Sequence, residues 1–203
     1  MAAPFDLSPV GRGEHSEPDM TFEPRDFKQA MRQCAGAVAL VTVGRETGSR
    51  TGLTVTSACS LSDDPPSLIV CVNRKASAHA RIRAEGAFAI NFLGEDHALL
   101  ALTFSGQKRV NGDDRFAFGQ WTKAATGAPV LQDAVATFDC ALAQEFETKT
   151  HSIFVGEVRG VSHSPAATPL VYLRSNFHTP REMRDVTKIG DREARHLSWS
   201  EFS

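Results

Sequence analysis

Apolar positions along the chain fall into short runs separated by turn residues, and most runs have the period of strands. Residues 37–43, AVALVTV, read as a buried strand. Residues 46–49 form a turn, and the run from Thr51 to Ser60 follows as its hairpin partner. In that second strand Leu53 and Val55 face one way, Thr54 and Thr56 the other. The turn Asp63-Asp64-Pro65-Pro66 leads into an apolar strand over 68–72. Further strands are predicted over 87–93, 135–146, 152–161 and 169–173. Helical spacing is confined to three short stretches. In 26–35, Phe27, Ala30, Met31 and Cys34 recur at i, i+3, i+4, i+7, between Pro24 and Gly36. Residues 77–85 read as a helix capped by Ser77 and ended by Gly86, and 96–103 carry the third. Residues 104–120 are a polar, Gly- and Asp-rich loop holding Phe104, Phe116 and Phe118. The strands do not alternate with helices, which excludes a doubly wound parallel sheet. The predicted class is mainly β: a six- to seven-stranded antiparallel barrel with a few peripheral helices.

Composition sets the outer limits. A chain of 203 residues that is 41% hydrophobic supports one domain with one core. The expected organisation is a mobile extension over 1–22, a domain over 23–181 and a charged tail over 182–203. A net charge of −2 gives no general attraction to nucleic acid or to an anionic membrane. No apolar run approaches the ~20 residues of a membrane span, and the first residues lack the apolar core of a signal peptide. The expected location is cytoplasmic. Cys34, Cys59, Cys71 and Cys140 form no Cys-x-x-Cys pair and read as reduced core cysteines.

No P-loop, Rossmann glycine fingerprint, zinc-binding HExxH helix or nucleophile elbow is present in the sequence. What remains is the stretch from Arg50 to Ser77, together with His151. Thr51, Thr54, Thr56, Ser57 and Ser60 make a hydroxyl-rich face, and Asn73-Arg74-Lys75-Ala76-Ser77 makes a basic turn at a helix start. Such a face is also an ordinary solvent side of a strand, and the turn is also an ordinary entry to a helix. The same geometry seats a phosphate, because a helix N-terminus with Ser77 and a nearby cation attracts anions. His151, just ahead of a strand, reads either as a surface histidine or as a functional one.

The order of these pieces resembles the short-chain flavin reductases, the reductase components of two-component flavin-dependent monooxygenases. The similarity runs from about Arg25 to His178. It is carried by Arg25-Asp26-Phe27; by the run from Gly52 to Ser57; by Ser60-Leu61-Ser62 with Pro65-Pro66-Ser67-Leu68; and by Val72-Asn73-Arg74 with Ala76-Ser77. Further along it rests on the run from Gly86 to Leu93, Phe104-Ser105-Gly106, Arg115-Phe116, His151 with Val155-Gly156-Glu157-Val158, and Pro169 to Tyr172. Many members have Gly-Asp before the histidine, where this chain has Lys149-Thr150. The resemblance implies a split β-barrel with flavin, FMN or FAD, at a homodimer interface. It implies that Gly52, Thr54, Val55, Thr56 and Ser57 hold the ring and ribityl groups, that Asn73, Lys75 and Ser77 hold the phosphate, and that Phe104 lies near the flavin. His151, Pro169 and Tyr172 would take the nicotinamide of NADH or NADPH. The implied reaction is hydride transfer to a flavin that then serves a separate oxygenase. A flavin carrier or sensor without turnover, on the same barrel, is the alternative, and a barrel that binds no flavin is a third.

Overall fold

A computed structural model of the chain describes residues 22–108 and 110–182. The extension over 1–22 and the tail over 182–203 lie outside these residues, Phe22 and Glu182 excepted. The elements are α1 (Pro24–Met31), β1 (Gly36–Ala37), β2 (Ala39–Val43), β3 (Thr51–Val55), β4 (Ala58–Asp63), β5 (Pro66–Asn73), α2 (Ser77–Glu85), β6 (Ala87–Phe92), α3 (Ala98–Phe104), β7 (Trp121–Lys123), β8 (Pro129–Leu131), β9 (Ala136–Glu147), β10 (His151–His163), β11 (Val171–Leu173) and β12 (Asn176–His178). Two short 3₁₀ turns, Glu95–His97 and Gly112–Ala117, precede α3 and follow it.

The main sheet has seven strands in the order β3-β2-β6-β9-β10-β5-β4, antiparallel at every step. Its two edge strands, β3 and β4, are neighbours in sequence and are joined only by Thr56 and Ser57. The predicted single strand over 51–60 is therefore two strands on opposite edges. The pattern read through the break because no glycine, proline or charged residue separates Val55 from Ala58. Two small sheets, β1-β11-β12 and β7-β8, flank the large one, and β7, β8 and β12 are too short to carry a periodic signal.

β2 is buried along its whole length because it faces two cores. Ala39, Val41 and Val43 join Val70, Val72, Phe88, Ile90 and Phe154, with Ala78 and Ile82 of α2 closing that core. Val38, just ahead of the strand, and Leu40 instead meet Leu100, Ala101 and Phe104 of α3 with Phe116 and Leu131. A continuous apolar run is what such two-sided burial demands. A polar clasp crosses this strand. Thr42 Oγ1 donates to the Pro129 carbonyl at 2.6 Å, and Asn91 Nδ2 donates to Thr42 Oγ1 at 3.0 Å. The Leu131 amide donates to Asn91 Oδ1 at 2.8 Å, which ties β8 to the sheet.

Two details differ from expectation. α2 has Ala76 as its N-cap and Ser77 as its first residue, and the Ser77 hydroxyl lies 2.7 Å from that of Thr51 rather than on the helix amides. α1 has the predicted amphipathic spacing, yet none of its residues is buried: Phe27 is 57% and Met31 51% exposed. Nothing among the described residues covers its apolar face.

Candidate functional site

The site builds from β3 outward. Gly52 sits where any side chain would collide: a Cβ there would lie 2.6 Å from the Val41 carbonyl and 2.9 Å from the Phe104 ring. Glycine thus lets Phe104 of α3 press on the strand, and Phe104, almost wholly buried, forms the floor of a cleft. One residue pair further on, Thr54 Oγ1 donates to the Ala101 carbonyl at 2.6 Å, fixing α3 along β3. At Thr56 and Ser57 the chain leaves the ladder, and Ser57 Oγ donates to the Cys71 carbonyl at 3.1 Å. The engaged hydroxyl oxygens of Thr54 and Ser57 keep lone pairs, so each is an acceptor toward anything placed over them.

The opposite wall comes from the turn after β5. The Lys75 amide donates to Asn73 Oδ1 at 2.9 Å, and the Ala76 amide to the Asn73 carbonyl at 2.9 Å, so the turn is set by asparagine itself. It delivers the chain into α2 with the amides of Ser77 and Ala78 at the start of the helix, where no preceding turn can take them. The resulting cleft has a volume of about 430 Å³; its lining includes Gly52, Thr54, Asn73, Lys75, Ser77 and Phe104, together with Arg115.

Thr54 and Ser105 also line a second hollow of about 200 Å³, with Val55, Thr56, Tyr172 and Phe177. Thr56 and Tyr172 line a third, of about 400 Å³, which reaches Phe27, Lys28, Arg32 and Arg174. Shared walls make the three one trench. It runs from the α2 N-terminus, past the β3 break, to α1.

Nine of the expected residues lie along or beside this trench: Gly52, Thr54, Asn73, Lys75, Ser77 and Phe104 at one end, and Val55, Thr56 and Tyr172 in the middle. Ser57 adjoins it at the strand break. Two lie elsewhere. Pro169 makes an isolated bridge with Gly94 beside the trench, not in its lining. His151 opens β10 directly opposite Asn73 in register and lines none of the three hollows; its Nδ1 is 2.9 Å from the Thr150 hydroxyl. One chain does not bring His151 and Tyr172 together.

Arg115 has no assigned role in the sequence reading, although Arg115-Phe116 carries part of the resemblance. It reaches the cleft from the second 3₁₀ turn, donating from Nη1 to the Gly52 carbonyl at 2.7 Å and from Nε to the Val110 carbonyl at 2.9 Å. Burial pulls its pKa below the usual guanidinium value. The same turn is held by a forked ion pair, Arg50 Nε to Asp113 Oδ1 at 2.6 Å and Nη2 to Oδ2 at 2.9 Å. Hydrogen bonding from Arg50 holds the Asp113 carboxyl down at about 2. The only signal available in the sequence was a basic residue inside a loop rich in glycine and aspartate, which does not by itself give a direction.

The donor set suits a long, flat, phosphate-bearing ligand. At one end are helix amides, two cations and a hydroxyl; in the middle are hydroxyl acceptors and main chain released from the sheet. Among the described residues no group of side chains could hold a metal ion.

Comparison with known proteins identifies the family of the chain. The family model described as flavin reductase like domain matches residues 31–181. The protein named FMN reductase (NADH) RutF from Variovorax paradoxus strain S110 is 37% identical over 153 residues, 75% of this chain and 83% of that protein. Among solved structures, a flavin reductase from Haemophilus somnus 129pt superposes with a TM-score of 0.74 at 34% identity, over 78% of this chain and 100% of that one. BorF, the flavin reductase component of a bacterial two-component tryptophan halogenase, gives 0.72 at 31% identity, over 79% and 100%.

Proposed function

The chain belongs to the flavin reductase like domain family, and from that premise we propose that it is an NAD(P)H:flavin oxidoreductase. It moves hydride from NADH to FMN or FAD and releases reduced flavin to a separate oxygenase component. FMN and NADH are the pair we favour, because the RutF relative carries both in its name. The observation that carries the reading is the cleft between β3 and the α2 N-terminus, where Lys75 and Arg115 face each other with no carboxylate within 4 Å of either among the described residues.

When bound, the flavin supplies the two-electron chemistry, taking hydride at N5 from the nicotinamide C4. The chain's residues position and stabilise. Asn73 shapes the turn that presents Lys75, Ser77 and the α2 amides to the terminal phosphate. Thr54, Val55, Thr56 and Ser57 hold the ring and ribityl edge. Phe104, set against Gly52, gives that edge a rigid floor. Main-chain amides at the β3 break favour negative charge on the reduced ring. Tyr172, with Pro169 beside it, borders the middle of the trench, where a nicotinamide would stack. An open trench also suits a product that must leave.

The functional unit is residues 23–181 working as a homodimer. His151 and Tyr172 line no common hollow in one chain, and α1 leaves Phe27 and Met31 exposed among the described residues. A site at an interface removes both difficulties, with His151 orienting the nicotinamide in a site shared between two chains. No helix among the described residues is long and apolar enough to cross a membrane, and we place the protein in the cytoplasm, where NADH is made.

The deciding test follows absorbance at the nicotinamide band with purified protein, NADH, and FMN or FAD added in turn. NADH loss that depends on added flavin is the expected result, faster with FMN. A protein that binds flavin yet consumes no NADH would be a carrier or sensor, and the reductase reading would fall.

A further inference from the structure

We propose that Arg115 is the second cation of the flavin phosphate seat, set across the cleft from Lys75 and held there by the Arg50–Asp113 pair, and that it makes the site select phosphorylated flavins over riboflavin. The inference rests on the flavin reading above.

The charges come first. Arg45, Arg50, Arg74, Arg81, Arg83 and Arg159 each lie within 4 Å of a carboxylate. Lys75 and Arg115 have no such partner among the described residues, and both line the same cleft. Arg115 is half-buried, and Nε and Nη1 are taken by carbonyls, which leaves Nη2 without an acceptor among the described residues. A desolvated guanidinium without an anion is costly, so the site gains most from a ligand that supplies one. A flavin 5′-phosphate carries roughly 1.5 to 2 negative charges at neutral pH, by analogy with other phosphomonoesters. Riboflavin carries none there.

The support for Arg115 comes from one strand. Arg115 bonds the Gly52 carbonyl within β3; Asp113, two residues earlier, bonds Arg50, the residue just ahead of β3. The Arg50 guanidinium also lies 4.7 Å over the Phe116 ring, and Phe116 meets Phe104 edge-on at 5.2 Å. The 3₁₀ turn is thus tied at both ends to the strand that floors the site. Asp113 is a positioning residue in this scheme: it acts through Arg115 and touches no ligand.

The test titrates wild type, R115Q, R115K and D113N with FMN and with riboflavin, read by flavin fluorescence. Wild type should prefer FMN. R115Q should weaken FMN by roughly tenfold or more, the scale of a lost charge-assisted hydrogen bond, and leave riboflavin within about twofold by the same reasoning. R115K should recover part of the FMN affinity, and D113N should lower the FMN-to-riboflavin ratio without changing riboflavin binding. Thermal melts of all four separate lost folding from lost selectivity, and R115K and D113N carry the test if R115Q does not fold. Equal loss of both flavins in R115Q would make Arg115 a loop brace and overturn the proposal. So would an unchanged ratio, or a wild type indifferent to the phosphate, although the reductase reading would survive either. A wild type that binds neither flavin would remove the reading and the inference together.

Discussion

At the residue scale, single atoms decide what the site can be. Gly52 has no room for a methyl group, so Gly52→Ala should destabilise the protein by about 1–3 kcal/mol and displace Phe104 from the cleft floor. Urea unfolding and FMN affinity should both report it. The Asp113 carboxyl, at about 2 against an ordinary 3.8, is more acidic folded than unfolded. Its contribution to stability is therefore present above the ordinary value and lost as pH falls through the interval down to about 2. Acid unfolding of D113N should lack that part of the pH dependence. Burial, aided by Asp139, pushes the Cys140 thiol up to about 12, while Cys34 and Cys59 are exposed. Cys34 and Cys59 thus lie outside the core expected for them. A chromogenic disulfide at pH 8 should titrate Cys59 quickly and reach Cys140 only after denaturation.

At the scale of elements, most of the sheet was legible because its strands are buried in different ways. β2, buried on both sides, reads as a solid apolar run; β6 and β10 announce themselves by apolar content and length. The break between β3 and β4 was not legible, since only Thr56 and Ser57 lie between the strands and neither is a turn-forming glycine or proline. Nor was the 3₁₀ turn that carries Asp113 and Arg115, whose direction depends on an ion pair 63 residues apart in sequence. The turn itself was legible from local chemistry, with asparagine, lysine and a helix start in five residues, whereas its phosphate role came from the family resemblance. The Ser77 hydroxyl, read as a cap, instead meets Thr51 on the neighbouring strand, a contact that spacing cannot foretell. The polar clasp offers a test at this scale. Thr42→Val keeps the shape but strands the Pro129 carbonyl and takes one acceptor from Asn91, and should cost about 1–3 kcal/mol in urea unfolding.

For the whole molecule, the uncovered face of α1 is the feature that one chain leaves unfinished. If two copies complete the site, Phe27→Glu should shift the protein toward monomer in analytical ultracentrifugation and should lower reductase activity in parallel. The sequence showed the amphipathic helix; it could not show that its apolar side finds no partner among the described residues.

The seven-strand order has one more consequence. β3 and β4 sit at opposite ends of the sheet, yet only Thr56 and Ser57 separate them along the chain. The barrel's seam is thus crossed by a link of only two residues, and the candidate site lies on that seam. A ligand seated there would act as a stitch, standing in for the rung that the sheet leaves out. Its stabilisation should grow with concentration as for any ligand of the native state, and it should be felt unevenly. In hydrogen exchange, saturating FMN should slow the amides of β3, β4 and the α2 entrance more than those of β9, which is already laced on both sides. The two edges would then open together or not at all, so closing the barrel and holding the flavin would be one act.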